Sequence, residues 1–230
     1  MAPTLISFAA PTGGAGSFGT ALQDTNMTKK TILAIAMATP LLMALPAAAD
    51  GDHRAKAIAV IKKDFQPRGQ AGLDRLAEDG LQAVCNRTGN KPPAYVAKQM
   101  EADQLAGVKY PADGKLIGDW KEGEKIAQSG RGFTWTDNPG LPVGGNCYNC
   151  HQIAPKETSF GTVGPSLYQF GKLRGNTPDM QKYAYSKIWN AKAFNLCSEM
   201  PRFGHAGALN EQQIKHLVAL LLDPESPVNK

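Results

Sequence analysis

The sequence predicts an all-α protein, and three observations support this fold class. Apolar residues recur at intervals of three and four in several segments, which is the spacing of one face of a helix. Asp119 and Asn210, two residue types that cap helix N-termini, stand directly before two of these segments. No segment shows the apolar–polar alternation of a half-buried strand. We therefore expect helices joined by loops.

Residues 50–110 are predicted to form a helical N-terminal extension. A first helix covers 53–64, and a second apolar pattern follows at the same spacing. The apolar positions of this second pattern are Leu73, Leu76, Ala77, Leu81 and Val84. Pro92 and Pro93 open a further helix that runs to about Gly107, because proline is tolerated in a first helical turn. The extension holds no catalytic constellation, so we expect it to serve packing or contact with a partner.

Residues 111–230 are predicted to form a second helical region, which carries the chemistry. Its predicted helices are 120–128 with Asp119 as the cap, 178–190, and a last helix between Asn210 and the stop at Asp223-Pro224. Gly123 on the first of these helices would permit close crossing by the last one. The alternative is a glycine that the helix merely tolerates.

The N-terminal end carries an export signal that starts late. A short positive segment after Met27 precedes an apolar stretch at 31–45 and small residues that end at Ala49. This is the three-part plan of a secretory signal peptide. We predict a signal peptide at 27–49, an upstream segment at 1–26, and a mature periplasmic protein without a membrane span. A retained membrane anchor is the alternative, but the apolar stretch is short for a bilayer.

The composition suits a soluble globular protein. Hydrophobic residues make up 42% of the 230 residues and charged residues 20%. The formal net charge is +5, but the basic residues are scattered and form no long run. We therefore expect no nucleic-acid partner.

A Cys-x-x-Cys-His pattern at Cys147, Cys150 and His151 predicts one covalently attached haem c. The two thiols add to the two vinyl groups of the porphyrin, and the adjoining imidazole becomes the proximal iron ligand. A zinc site would need further cysteine or histidine ligands at matching spacing. A thioredoxin-like redox pair would need a βαβ context. Neither alternative explains the adjoining histidine in an exported helical chain.

The second iron ligand is predicted to be Met200. Methionine opposite histidine is a standard cytochrome c pair, and Met200 lies in a loop that contains proline and glycine. His205 in the same loop is the alternative ligand. Met180 and His216 fall on predicted helices, where we expect a core packer and a plain surface residue.

Pro165 is predicted to orient His151. A backbone carbonyl there would accept the Nδ1–H of the ring and thereby fix its direction. An ordinary turn proline is the alternative.

Cys85 and Cys197 remain after haem attachment, and we predict a disulfide between them. Thiols of exported proteins tend to oxidise, and an even remainder permits one bridge. The alternatives are two free buried thiols, pairing between molecules, or ligation of iron by Cys197.

The chain resembles known cytochromes in these motifs. Residues 115–225 resemble a class I cytochrome c in the order helix, haem motif, Gly-Pro-x-Leu, methionine loop and last helix. More narrowly, the chain resembles SoxX, the monohaem subunit of SoxAX cytochromes. The residues that carry this resemblance are Gly145–His151, Gly164–Leu167, Lys172–Gly175 and Met200–Gly204. The helical extension before the haem domain fits as well.

The resemblance implies a class I cytochrome c fold and a place in thiosulfate oxidation. Such a subunit forms a heterodimer with a SoxA-type haem protein, which contributes the catalytic cysteine of an L-cysteine S-thiosulfotransferase. Electrons from the coupling of thiosulfate to a SoxYZ-type carrier cysteine leave through the haem to a small cytochrome c. Two other functions stay open: a free-standing electron shuttle, and a ligand-sensing or peroxidase-type haem protein with an open iron site.

Overall fold

Seven α-helices account for most of the regular structure in residues 49–230, the part of the chain that this computed structural model describes. The helices are α1 (Ala49–Asp64), α2 (Gly80–Arg87), α3 (Ala94–Ala106), α4 (Trp120–Gln128), α5 (Phe170–Arg174), α6 (Pro178–Trp189) and α7 (Glu211–Leu222). Short 3₁₀ turns lie at Leu73–Leu76, Cys147–Asn149, Ala191–Ala193 and Pro227–Asn229. Within residues 49–230 there is no strand, only one isolated bridge between Arg68 and Ala71. The all-α prediction is confirmed for these residues.

The predicted signal peptide at 27–49 lies outside the described residues, except for Ala49, and so does the upstream segment at 1–26. From residue 49 onward, no helix is long and apolar enough to cross a membrane.

Helices α4 and α7 cross in the main core, the buried cluster that contains Ala127, Tyr185, Leu209 and the apolar side of α7. The inner side of α7 is buried, including Ile214, Leu217 and Val218. Gly123 of α4 lies against the backbone of α7, because a Cβ at this position would be 2.2 Å from the carbonyl oxygen of His216. The predicted close crossing is confirmed, and a side chain at Gly123 would prevent it.

Both predicted N-caps are present. The Asn210 side chain accepts a hydrogen bond from the N–H of Gln213 at 2.9 Å, and the Gln213 side chain accepts one from the N–H of Asn210 at 3.1 Å. The Asp119 carboxylate accepts the N–H of Lys121 at 2.8 Å. These bonds satisfy N–H groups that the first turn of a helix leaves without partners.

The prediction for His216 is wrong. This histidine is not a plain surface residue, because its Nδ1 accepts the backbone N–H of Asp119 at 2.8 Å. The ring is half-buried where α7 meets the start of α4. A side chain on one helix thus supplies an acceptor to the N-terminus of another, which the periodicity of α7 alone does not reveal.

The extension differs from the prediction in its middle part. The apolar pattern from Leu73 to Val84 is not one continuous helix, since a 3₁₀ turn ends at Leu76 and α2 begins at Gly80. Asp79 causes the restart: its carboxylate accepts the N–H of Gln82 at 2.8 Å and caps α2. Helix α3 follows Pro93 and ends at Ala106, as predicted.

A second, smaller core joins the extension to the loop after α6. Leu81 and Cys85 of α2 are buried with Leu196, and Met100 of α3 packs against them. Cys85 and Cys197 form a disulfide. The predicted bridge is therefore confirmed, and free thiols, pairing between molecules and ligation by Cys197 are wrong.

Candidate functional site

Cys147, Cys150 and His151 lie on one tight turn. The 3₁₀ segment Cys147–Asn149 is closed by the N–H groups of Cys150 and His151, which donate to the carbonyl oxygen of Cys147 at 3.1 and 3.0 Å. Asn146 enters the turn in the left-handed conformation, with φ of 48°. Neither thiol is in a disulfide. The turn therefore places the two cysteines and the histidine on one short backbone segment.

The turn is fastened to the end of α4. The N–H of Gly145 donates to the carbonyl oxygen of Ile126 at 2.8 Å, and the N–H of Asn146 donates to that of Ser129 at 2.9 Å. A Cβ on Gly144 would lie 2.0 Å from the Ser129 carbonyl oxygen. Because only glycine permits this approach, the Gly-Gly pair sets the distance between the motif and α4.

The imidazole of His151 is held by the segment 161–167. Its Nδ1 lies 2.7 Å from the carbonyl oxygen of Pro165. A carbonyl only accepts, so Nδ1 carries the proton and Nε2 keeps a lone pair for a metal. The predicted contact between His151 and Pro165 is present in the structure.

Gly164 fits tightly against the same ring. Its N–H donates to the carbonyl oxygen of Cys150 at 2.8 Å. A Cβ on Gly164 would lie 2.2 Å from Cε1 of His151. Both residues of the Gly-Pro pair thus act on the imidazole: Pro165 provides the acceptor, and Gly164 leaves room for the ring.

The electrostatics of Cys147 argue against a reactive thiolate. Burial raises the pKa of this thiol to about 12, whereas redox-active cysteines have lowered values. Cys147 packs against the main core and is only partly exposed. A thioredoxin-like function of the Cys-x-x-Cys pair is disfavoured on this ground.

Tyr148, one of the two residues between the cysteines, is anchored in the fold. Its ring is buried in the main core, and its hydroxyl donates to the Glu124 carboxylate of α4, with Oε1 at 3.1 Å. Burial, together with the neighbouring Glu124 charge, raises the pKa of this phenol. The motif is therefore anchored by a side chain as well as by the backbone.

Met200 lies in the loop between α6 and α7. Its side chain is partly exposed and packs against the main core, as Cys147 does. Its N–H donates to Oγ of Ser198 at 3.2 Å. Met180 packs against the same core from α6, as expected for a core residue.

The two histidine candidates for the second ligand are engaged elsewhere. Nε2 of His205 lies 3.4 Å from Nη1 of Arg202, which donates to it. Desolvation and the Arg202 charge lower the pKa of His205. His216 is used at the start of α4, as described above. Met200 is the candidate in this loop whose ligating atom has no such engagement.

Sequence patterns did not predict that the extension is hydrogen-bonded to the loop between α6 and α7, which carries Met200. Asp79 accepts a hydrogen bond from Nη2 of Arg202 at 2.5 Å, and Glu101 accepts the N–H of Leu196 at 2.8 Å. Asp79 and Glu101 are single acidic residues far from this loop in sequence, so nothing in the sequence indicates their partners. Within residues 49–230, no group of three or more His, Cys, Asp and Glu side chains is placed to hold a metal ion.

Comparison with known proteins gives one informative match. No protein-family model matches the chain. An uncharacterized lipoprotein of Aquifex aeolicus is 37% identical over 156 residues, which is 67% of this chain and 74% of that protein.

Proposed function

The chain belongs to the same family as the uncharacterized lipoprotein of Aquifex aeolicus, and we propose that it is an exported monohaem cytochrome c with an electron-transfer function. The observation that carries this proposal is the bond geometry of His151, whose Nδ1 is committed to Pro165 at 2.7 Å. The Nε2 atom of a ring fixed in this way is suited to ligate iron. The adjacent pair of unbridged thiols supplies the covalent attachment.

The residues present fit a covalent haem. Cys147 and Cys150 would form the thioethers, and His151 and Met200 would supply the two protein ligands of the iron. The chemistry of this donor set is that of a His–Met cytochrome c. The glycines at 145 and 164 bring the backbone close to Cys147 Sγ and to the His151 ring, since a Cβ on Gly145 would lie 3.0 Å from that sulfur. A larger residue in place of either glycine would crowd the turn that carries Cys147, Cys150 and His151.

These residues would hold the haem, orient its histidine ligand and exclude small molecules from the iron. The haem supplies reversible one-electron redox chemistry when bound. Pro165 keeps the proton of His151 on Nδ1, and this bond increases the basicity of the ligating nitrogen. A thioether from Met200 would be the second protein ligand of the iron, so that small molecules would compete poorly for the metal. Electron transfer without bond chemistry is the function that such a site supports best.

More specifically, we propose that the chain is the monohaem subunit of a periplasmic thiosulfate-oxidising complex. The motifs shared with SoxX support this assignment, and so does the folded extension before the haem region. A SoxA-type haem subunit would form the heterodimer and provide the catalytic cysteine. This chain would accept electrons from the coupling of thiosulfate to a SoxYZ-type carrier and pass them to a small cytochrome c.

The predicted export signal at 27–49 and the lipoprotein name of the relative support a location in the cell envelope. Within that, we propose the periplasm.

The first experiment tests the haem. The chain is expressed with its export signal in a host that matures c-type cytochromes, and covalent haem is measured by haem staining and by the mass of the intact protein. We expect one haem per chain, and none in the Cys147→Ser/Cys150→Ser variant. A colourless wild-type protein with unmodified thiols would refute the proposal.

The second experiment tests the complex. The tagged chain is recovered from the native periplasm after growth on thiosulfate. Co-purification of a second haem protein supports the proposed subunit. A homogeneous monomer that exchanges electrons with an oxidase supports the alternative, a free-standing electron shuttle.

A further inference from the structure

We infer that α2 and α3 of the extension form a clamp on the loop that carries Met200, with Asp79 and Cys85 as positioning residues for this ligand. The inference rests on the proposed function, because Met200 has a ligating role only in a haem protein. The clamp is defined here by four side chains of the extension, Asp79, Cys85, Glu101 and Gln104.

The first attachment of the clamp lies before Met200. Cys85 of α2 is covalently joined to Cys197, three residues upstream of the methionine. Cys85 is buried in the small core with Leu81 and Leu196. A covalent bond into a packed core fixes the position of this end of the loop.

The second attachment lies after Met200. The Asp79 carboxylate accepts a hydrogen bond from Arg202 at 2.5 Å, two residues downstream of the methionine. The Arg202 side chain is 16% exposed and that of Asp79 is 40% exposed, so water screens this pair in part. Asp79 itself is held in place, because it caps α2 through the N–H of Gln82.

Both attachments therefore end on one short, rigid element. Asp79 caps α2, and Cys85 lies within it. The separation between the two loop anchors, Cys197 and Arg202, is set by this helix. Met200 lies between the anchors, so the disulfide and the ion pair limit the conformations open to the segment that carries it.

Helix α3 adds two contacts at the beginning of the same loop. Glu101 accepts the N–H of Leu196 at 2.8 Å, and Gln104 accepts a hydrogen bond from Asn190 Nδ2 at 2.9 Å. Lys192 closes this part of the loop from within, with Nζ donating to the carbonyl oxygens of Leu196 and Ser198 at 3.3 and 3.1 Å. The loop is thus shaped by the extension over its first half.

A clamp of this kind has a direct consequence for a thioether ligand. Methionine binds iron weakly, and an untethered loop loses conformational entropy when it ligates. When anchors hold the loop on both sides, part of this conformational entropy is already lost when the protein folds. Less is then lost on ligation, so ligation becomes more favourable. The folded extension would then serve the haem site of its own chain, in addition to any contact with a partner.

The test uses the haem-loaded protein and three variants of the ion pair. Asp79→Asn keeps an acceptor for the cap but removes the charge that faces Arg202. Arg202→Gln removes the other partner, and the double variant combines the two. The readouts are the near-infrared absorption band of methionine-ligated ferric haem and the rate at which CO binds ferrous haem.

We expect each variant to keep its covalent haem, to lose part of the methionine band and to bind CO about tenfold faster. Because the two side chains act as one pair, the double variant should match the single ones. Cys85→Ser/Cys197→Ser should show the same two changes. Hydrogen exchange of residues 198–205 should be faster in all four variants.

The matched control is Glu78→Gln. Glu78 is the neighbour of Asp79 and pairs with Arg54 and Asn86, which lie in α1 and α2. This variant weakens polar contacts that lie within the extension and leaves the bonds of Asp79 and Cys85 to the loop that carries Met200 in place. Its band and its CO rate should equal those of the wild type.

The outcomes separate the two claims. A haem-loaded Asp79→Asn protein with an unchanged band and CO rate would overturn the clamp and leave the cytochrome assignment intact. An equal response in Glu78→Gln would overturn it as well, since the effect would then be general destabilisation. A wild-type protein without haem would overturn the proposed function and the clamp together.

Discussion

Gly123 of α4 lies in backbone contact with His216 of α7: a Cβ on Gly123 would be 2.2 Å from the His216 carbonyl oxygen and 2.9 Å from Cβ of Leu220. The two helices therefore approach as closely as their backbones allow. The turn that carries Cys147, Cys150 and His151 is hydrogen-bonded to the end of α4. The crossing of α4 and α7 therefore also sets the position of Cys147 relative to the main core.

Gly123→Ala should destabilise the fold. The methyl group cannot be accommodated without separating α4 from α7, so we expect the free energy of unfolding to fall by about 1–3 kcal/mol. Denaturant unfolding followed by circular dichroism measures this. Gly80→Ala is the control, because a Cβ there meets nothing within 4 Å. An effect at Gly123 no larger than at Gly80 would contradict the tight crossing.

Gly164→Ala should disturb His151, the proposed iron ligand, rather than the fold. The new Cβ would fall 2.2 Å from the His151 ring, so the imidazole must move away from the Pro165 carbonyl. We expect the yield of haem-loaded protein to fall by about tenfold, measured as haem absorbance per mole of chain. In the control Gly107→Ala, the nearest atom lies at 3.5 Å, an ordinary contact. A normal yield and an unchanged haem spectrum in Gly164→Ala would show that the ring is not confined there.

The sequence predicted those parts of the structure that depend on local signals. Asp119, Asn210 and the Pro92-Pro93 pair gave the starts of α4, α7 and α3 correctly, because caps and prolines act on the next few residues. The His151–Pro165 contact was also within reach, since the two motifs are 14 residues apart. The disulfide followed from the count of cysteines.

Other features depend on side chains that meet across the fold, and the sequence did not predict them. The pairing of Asp79 with Arg202 spans 123 positions, and no local sequence signal links the cap of α2 to the loop that carries Met200. His216 was expected at the surface, because helical periodicity describes one helix and not its neighbour. The apolar spacing from Leu73 to Val84 suggested one helix, although Asp79 prefers to begin a new one.

Removing the disulfide should cost stability independently of any effect on Met200. The Cys85–Cys197 bridge closes a segment with a sequence separation of 112, and bridges of this span restrict the unfolded chain strongly. We expect Cys85→Ser/Cys197→Ser to lower the free energy of unfolding by about 2–5 kcal/mol. Urea unfolding of the oxidised wild type and the variant measures the difference. A loss below about 1 kcal/mol would mean that the remaining fold already restricts the unfolded chain as much.

Tyr148 should make the stability depend on pH in alkaline solution. Its pKa is raised by burial and by Glu124, so the folded state keeps the phenol protonated where the unfolded chain, with an ordinary pKa of about 10, releases the proton. The contribution is therefore fully present below about pH 10 and is lost as the pH rises further. Tyr148→Phe should remove this part of the alkaline loss.

The same variant should already be less stable at neutral pH. It loses the hydrogen bond from the Tyr148 hydroxyl to the Glu124 carboxylate, and we expect a cost of about 1–2 kcal/mol. Tyr185, whose pKa burial raises to about 12, is present in both proteins and gives a shared alkaline background. Tyr95→Phe is the control, since that ring is 78% exposed. Parallel curves of unfolding free energy against pH for wild type and Tyr148→Phe would show that the Glu124 contact does not hold the phenol proton in solution.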